Sequence, residues 1–435
     1  MKISTYIHIP FCKTRCTYCD FCSYPNVPAH RRLAYAGDVC REALFYAANL
    51  PPHEVGTVYF GGGTPSLMPA AGLWKMLATL REHMNLAPDA EITLEANPDS
   101  VTPQACDGWL GMGINRLSLG IQAVQDDMLR TLGRAHTHAQ SQAALHCAQQ
   151  AGFANVSMDG MVGLPGQSMA MWQDTLDFLA QADHVSCYTL EVHADTPLGC
   201  AVAQGLALPN EDDTADMMLE AHQRLAARGF THYEVSNFAK EGGQSRHNMG
   251  YWARLPYIGL GAGAHGFLPT QVSLPMPHDP LHVPQNCLRT VHRFPPTLRV
   301  NCSTPHGNSP ASRVDAPALY GDSPALHAYR YENIGDLTTY AEAVAQTGHG
   351  RKTTDPVTPE DAIKETVMLA LRTHVGLELA AFERDFGKSP ITDAQHARWV
   401  KEGICQPTPD RLALTPKGFL INNAVISAVW DNLGL

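Results

Sequence analysis

Cys12-Lys13-Thr14-Arg15-Cys16-Thr17-Tyr18-Cys19 is the stretch on which the reading of this chain turns. It follows the apolar run Tyr6-Ile7-His8-Ile9-Pro10-Phe11, which reads as a first strand. Three thiolates spaced CxxxCxxC on a short loop can reach three corners of one iron–sulfur cube, because soft sulfur ligands suit iron. One iron is then left without a protein ligand, an open position of the kind that catalytic metals keep for a substrate. On the loop alone, two other readings stay open: Cys22 could complete a structural zinc site, or the thiols could be reduced and inert.

Working outward, composition sets the bounds. A chain of 435 residues exceeds what one compact core absorbs, so two domains are the default. Neither a cationic segment followed by an apolar leader core nor an uninterrupted apolar stretch of about twenty residues is present. The expectation is a soluble, cytoplasmic protein, with any membrane contact peripheral. Twelve cysteines without a paired framework suit a reducing compartment. A formal net charge of −11 argues against a broad nucleic-acid-binding face.

The first half alternates strand-like and helical patterns. Apolar strand runs fall at Thr5–Ile9, Thr57–Phe60, Glu91–Ala96, Arg116–Ile121, Val156–Val162 and His184–Leu190. Between them, Leu73, Met76, Leu77, Leu80 and Met84 share one helical face, and a pattern from Ser141 to Ala151 closes at Gly152 as a C-cap would. Six such units predict an α/β fold, a parallel sheet curved into a partial (β/α)6 barrel, with ligands at the carboxyl ends of its strands.

Polar groups recur at those ends. Gly61-Gly62-Gly63-Thr64-Pro65 follows the second strand, where glycines let backbone N–H groups approach a bound carboxylate or amine. Such a run is as often a plain turn. Glu95 is a carboxylate on an otherwise apolar strand; it could bind a ligand, cap the next turn or pair with Arg116. Gln122 ends the fourth strand, Arg134 offers a planar fork for a carboxylate, and Asp159 interrupts the fifth strand. Together they make a better site than as separate accidents.

The runs Tyr6-Ile7-His8-Ile9-Pro10-Phe11-Cys12, Tyr59-Phe60-Gly61-Gly62-Gly63-Thr64-Pro65-Ser66-Leu67, Glu95-Ala96-Asn97-Pro98, Gly120-Ile121-Gln122 and Gly163-Leu164-Pro165-Gly166-Gln167 resemble the radical SAM group that contains oxygen-independent coproporphyrinogen III oxidase (HemN) and the heme chaperones (HemW). The resemblance covers nearly all of the chain outside one central insertion. It implies a [4Fe-4S] cluster held by Cys12, Cys16 and Cys19, with S-adenosylmethionine contacted by Tyr6, Gly62, Gly63, Thr64, Glu95, Gln122, Arg134 and Asp159. Tyr18 matches the aromatic residue that lies beside the adenine. In the superfamily an electron from the cluster splits S-adenosylmethionine to an adenosyl radical.

Two stretches separate the branches of this group. The oxidase branch carries a further cysteine two positions after the third ligand, where this chain has Phe21, and an extension before the first strand. Cys22 sits one place too far along, and Cys19-Asp20-Phe21-Cys22-Ser23-Tyr24 looks instead like the chaperone signature CDFxS. Arg246-His247-Asn248-Met249-Gly250-Tyr251-Trp252 resembles the chaperone element HNxxYW, which implies heme binding through His247. A neutral imidazole is a common axial ligand of heme iron, and Tyr251 and Trp252 could flank a macrocycle; equally, such a histidine can bond a loop while the aromatics fill core.

The expected organisation is a barrel over 1–240, a linking and heme-binding region over 241–266, and a Pro- and His-rich insertion over 267–328. A C-terminal α+β domain of winged-helix-like shape then covers 329–435. The insertion reads as a long surface excursion or partial disorder; His278, His282, His292, His306, His327, Cys287 and Cys302 in it could bind a metal or heme, but their irregular spacing favours solvated loop residues. The family pattern resumes at Arg330-Tyr331-Glu332-Asn333. Near the end, helices are expected around Ala362–Leu371 and from Gly418 to Trp430, without a recognition helix dense in Lys and Arg. This module is read as a lid, a homodimer contact or an acceptor-protein contact. The function implied is transfer of heme to acceptor heme proteins such as respiratory enzymes. The alternative is radical chemistry on a tetrapyrrole, or methyl transfer, with an external electron donor.

Overall fold

Lys2–Ile9 forms the first strand, β1, and almost every residue in it is buried, as a parallel strand covered on both faces requires. The computed structural model describes residues 1–270, 272 and 328–435, so the seven histidines and cysteines named in the insertion lie outside the described residues. The next five predicted strands form as β2 (Glu54–Gly62), β3 (Leu86–Ala96), β4 (Arg116–Gln122), β5 (Asn155–Val162) and β6 (His184–Thr189). All six run parallel in chain order, which brings the tips of the early strands into line: Ile9 pairs with Gly62, and Ala96 with Leu119.

The intervening helices are built as their patterns require. On the helix Ala70–His83, Leu73, Met76, Leu77 and Leu80 are fully or almost fully buried, and Met84 closes the stripe. The helix expected from Ser141 begins at His138, because Thr137 and Gln140 make a capping box three residues upstream. It ends at Gly152 with φ 91°, a left-handed C-cap.

The sheet continues beyond the six units. On the β6 side it adds two antiparallel strands, β7 (Thr231–Glu234) and β8 (Asn237–Ala239), in the order β6-β8-β7. On the other side β9 (Tyr257–Leu260) lies parallel to β1, followed by antiparallel β10 (His265–Pro269), β11 (Ala328–Asn333) and β12 (Arg351–Val357). The barrel is therefore open, its end strands β7 and β12 not paired with each other.

The expected division at 240 and 329 differs from where the cores divide. The main sheet takes in residues up to 357, tied together by Glu42 of the helix Ala29–Asn49. Its buried carboxylate accepts from the N–H groups of Gly261 and Gly350, from Asn333 Nδ2 and from Tyr340 Oη, at 2.7–2.9 Å. Those donors come from segments before and after the insertion, so sequence distance hides their common core. A separate core starts at Val367 and is closed by Phe382, Trp399, Phe419 and Val429. This C-terminal module contains five helices and the small strand pair Leu377–Glu378 with Arg411–Leu412. The apolar run expected as one helix from Gly418 is two, Pro416–Leu420 and Asn422–Leu433, broken at Ile421. The module touches both sides of the sheet: beside β7, Val235 N donates to Arg372 O at 2.8 Å, and on the other side Glu365 pairs with Arg254, ahead of β9, and with Arg330 of β11.

Candidate functional site

A cavity of about 820 Å³ opens at the carboxyl ends of the parallel strands. It is lined by Cys12, Cys16, Cys19, Tyr18, Gly62, Gly63, Thr64, Glu95, Gln122, Arg134 and Asp159. All the residues singled out from sequence for the cluster and for S-adenosylmethionine therefore face it, except Tyr6.

Close packing explains the glycines. Gly62 has φ 114°, and a Cβ there would stand 2.5 Å from the His8 ring. A Cβ on Gly63 would meet Phe11 O at 2.8 Å and Cys12 Sγ at 2.9 Å. The bare backbone thus lies directly against the first cysteine, held by bonds from Gly63 N to Ile9 O and from Thr64 N to Phe11 O. Tyr6 stands behind this wall. Its hydroxyl bonds His8 Nδ1 at 2.9 Å and its ring stacks on Tyr59, so in this structure it supports the glycine loop from beneath.

A chain of hydrogen bonds crosses the cavity between two of the thiols. Thr64 Oγ1 lies 3.8 Å from Cys12 Sγ and accepts from Asn97 Nδ2. Asn97 Oδ1 accepts from Arg134 Nη2 at 2.6 Å, and Arg134 Nη1 lies 3.6 Å from Cys16 Sγ. Arg134 also donates to Gly120 O. Next to that carbonyl the ladder between β4 and β5 slips between Gly120 and Gln122, and Gln122 takes φ 70°, an uncommon backbone for a side chain of this kind.

The carboxylates lie deeper. Glu95 accepts from Tyr59 Oη at 2.7 Å and from Gly62 N at 3.2 Å, rather than pairing with Arg116. Burial, reinforced by Asp159, pushes its pKa up to about 7 against those two donors. Burial likewise raises Asp159, with Ser186 and Ser118 opposing. The neighbouring Arg116 is buried, and among the described residues its Nε has no partner. Tyr59 and Asn97 are site residues to which sequence reasoning assigned no role, and Arg116 entered it only as a possible partner of Glu95. Asn97 alone left a signal, two residues past Glu95 at a strand tip.

The donor set suits an iron–sulfur cluster bearing a zwitterionic ligand: three thiols, none in a disulfide, then an arginine, an amide and two carboxyl groups. The zinc reading needs Cys22 as fourth ligand, but Cys22 packs on Gly263 and points its thiol at Gly335 O, 3.6 Å away.

His247 is elsewhere. It sits on the short helix Arg246–Trp252 beneath the sheet, with Nδ1 bonded to Thr57 Oγ1 at 2.8 Å and Nε2 to Tyr251 Oη at 2.9 Å. The Glu91 carboxylate accepts the N–H groups of Arg246 and His247, and the His247 ring stacks on Tyr59. Burial, reinforced by Arg116, lowers its pKa to about 3. With both ring nitrogens bonded and the side chain buried, this conformation offers no axial ligand from His247. What the sequence read as a heme ligand stands here as floor, one ring removed from Glu95.

Comparison with known proteins shows the family. Residues 6–179 match the family model described as Radical SAM superfamily, and residues 357–421 match that of the HemN C-terminal domain. The heme chaperone HemW of Mycobacterium tuberculosis H37Rv is 42% identical over 272 residues, 60% of this chain and 69% of that protein. HemW of Synechocystis is 39% identical over 276 residues, covering 62% of this chain and 66% of the relative. HemW of Bacillus subtilis is 29% identical over 436 residues, 99% of this chain and 100% of that one. Among solved structures, coproporphyrinogen III oxidase (HemN) from Escherichia coli superposes with a TM-score of 0.72 at 20% identity, covering 100% of this chain and 90% of that one. At that identity the likeness speaks for the fold alone.

Proposed function

This chain belongs to the radical SAM superfamily and, within it, to the HemW family, and on that premise we propose that it binds heme and passes it to acceptor heme proteins. A [4Fe-4S] cluster and S-adenosylmethionine, which the superfamily implies, belong in the cavity. Cys12, Cys16 and Cys19 hold the cluster. The Gly62–Thr64 loop and Glu95 receive the amino group, Arg134 the carboxylate, and Tyr18, Gln122 and Asp159 the nucleoside. When bound, the cluster supplies an electron to S-adenosylmethionine. The chain's own part is to fix both groups by thiol, backbone and carboxylate, and to keep water from the barrel interior.

The observation that carries this reading is the convergence of thiols, glycine loop, amide, arginine and carboxyl groups from successive strand tips on one cavity. Support for heme, rather than a porphyrinogen, comes from the relatives' names and from Phe21, which replaces the oxidase branch's extra cysteine with an exposed ring. Anaerobic hemin titration of the cluster-reconstituted protein tests it. A saturable shift of the heme band, followed by transfer to an apo heme protein, is expected; absence of saturation overturns the proposal.

The same constellation favours one second reading, chemistry on a tetrapyrrole with an external electron donor. Anaerobic incubation with coproporphyrinogen III, S-adenosylmethionine and a reductant distinguishes it, since loss of carboxyl groups from the product would make the protein an enzyme.

A further inference from the structure

The floor gives heme no ligand, so the imidazoles that line the cavity were compared. His184 is held between Ser157 Oγ and Tyr233 Oη at 2.8 and 2.7 Å. His193 faces Asp20 and Glu191 at 3.4 and 3.9 Å. His232 bonds Val235 O, and its ring stacks on Phe238 and touches Phe419. His222, on the helix Glu211–Ala226, differs from all three. Among the described residues its buried Nδ1 has no hydrogen-bonding partner, and its ring meets the His232 ring, 5.6 Å away. Burial lowers its pKa, so the ring is neutral at neutral pH and able to ligate a metal.

Large apolar side chains are exposed on the segments that line this cavity. Phe21 is 62% exposed, Tyr188 41%, Leu420 37% and Ile421 42%. Scattered singly these would need no explanation. Here Phe21, Tyr188 and Leu420 line the same cavity as His222, and Ile421 adjoins Leu420 at the break between the last two helices. Arg15 lines the cavity too. Its Nε donates to Cys19 O, and no carboxylate pairs with it among the described residues.

We infer that heme binds at the outer mouth of this cavity, its iron ligated by His222, its faces against Phe21, Tyr188, Leu420 and Ile421, and a propionate on Arg15. The inference rests on the heme reading above and assigns its place. A flat apolar macrocycle with a metal at its centre and carboxylates at one edge needs these three kinds of group. A partner protein would have no use for an unpartnered imidazole inside the opening. The site joins barrel and C-terminal module, so loading would hold the two together.

The test is anaerobic hemin titration of wild type, His222→Ala, His222→Met, the double variant Leu420→Asp/Ile421→Asp and His247→Ala, compared at equal cluster content. His222→Ala should weaken binding by roughly tenfold or more, and the double variant should weaken it as well. His222→Met should bind with a displaced band, because sulfur replaces nitrogen on the iron, a signature that a structural role would not give. His247→Ala should titrate like wild type. If wild type binds and the His222 and rim variants match it, the inference fails while the heme reading stands. If wild type shows no saturation, both fail. If the rim variant changes the oligomeric state in sedimentation and leaves hemin affinity alone, the mouth is a contact between copies and the inference is overturned.

Discussion

The two ends of β2 carry polar groups under opposite rules. At its base Thr57 bonds His247, whose second nitrogen goes to Tyr251 and whose backbone N–H goes to Glu91, so the floor is saturated. At its tip Gly62, Gly63 and Thr64 face three thiols, with Gln122 in a strained backbone, and lower in the same cavity Arg116 has no partner on Nε among the described residues. Polar groups that satisfy one another build structure, whereas those left open at a cavity are available to a ligand. Tyr59 joins the two ends, its ring on His247 and its hydroxyl on Glu95.

Breaking the mouth should cost most. Replacing Cys12, Cys16 or Cys19 by alanine is expected to abolish cluster assembly, read as iron and sulfide content after anaerobic reconstitution, with the fold retained by circular dichroism. A variant that still assembled a full cluster would remove that thiol from the ligand set.

Gly62→Ala comes next, because it strikes the point where the mouth leans on its support. The backbone conformation alone should cost about 1–3 kcal/mol, and the added methyl meets the His8 ring, itself held by Tyr6 and Cys22 O. Thermal unfolding and S-adenosylmethionine calorimetry should show both losses. Wild-type affinity in this variant would mean that the glycine loop does not touch the ligand.

The floor should respond in stability only. His247→Ala leaves Thr57 and Tyr251 unpaired, which should cost about 1–3 kcal/mol in denaturant unfolding, with hemin affinity unchanged. A loss of hemin binding at unchanged stability would reverse the comparison and return the histidine to the ligand set.

What sequence could show follows from the range of the interactions. The cysteine loop, the glycine run and the Thr137–Gln140 cap act over a few residues, so their spacing carries them. Glu95, Gln122 and Asp159 were legible because a polar residue in an apolar strand is rare and parallel strands bring their tips together. Tyr59 was not, and Asn97 showed only its place at a strand tip, since their partners come from strand register. For His247 two readings stayed open for a related reason: a motif names residues, but whether its helix packs at the base or tip of β2 depends on Glu91 and Thr57, far away in the chain. The continuation of the sheet through β11 and β12 was hidden by the insertion and by the polar composition of Arg351–Val357.

The smallest effect is also the sharpest, because the two ends of β2 should respond to pH in opposite directions over one interval. Glu95 keeps its proton in the folded chain to about pH 7, against an ordinary value of 4.5. Between these values the folded state binds more protons than the unfolded, so this group makes stability fall as pH rises. His247, lowered to about 3 from 6.5, stays neutral when folded while the unfolded chain takes up a proton below 6.5. It therefore makes stability rise with pH over nearly the same interval. In the cofactor-free protein, Glu95→Gln should leave the rising component and His247→Ala the falling one, measured as unfolding free energy at several pH values between about 4.5 and 7. A cationic amine at the mouth requires the ionised carboxylate, so S-adenosylmethionine affinity should climb with pH across the same range in wild type and stay flat in Glu95→Gln. Parallel slopes in the two variants would mean that the mouth is as closed as the floor, and the distinction between them would fall.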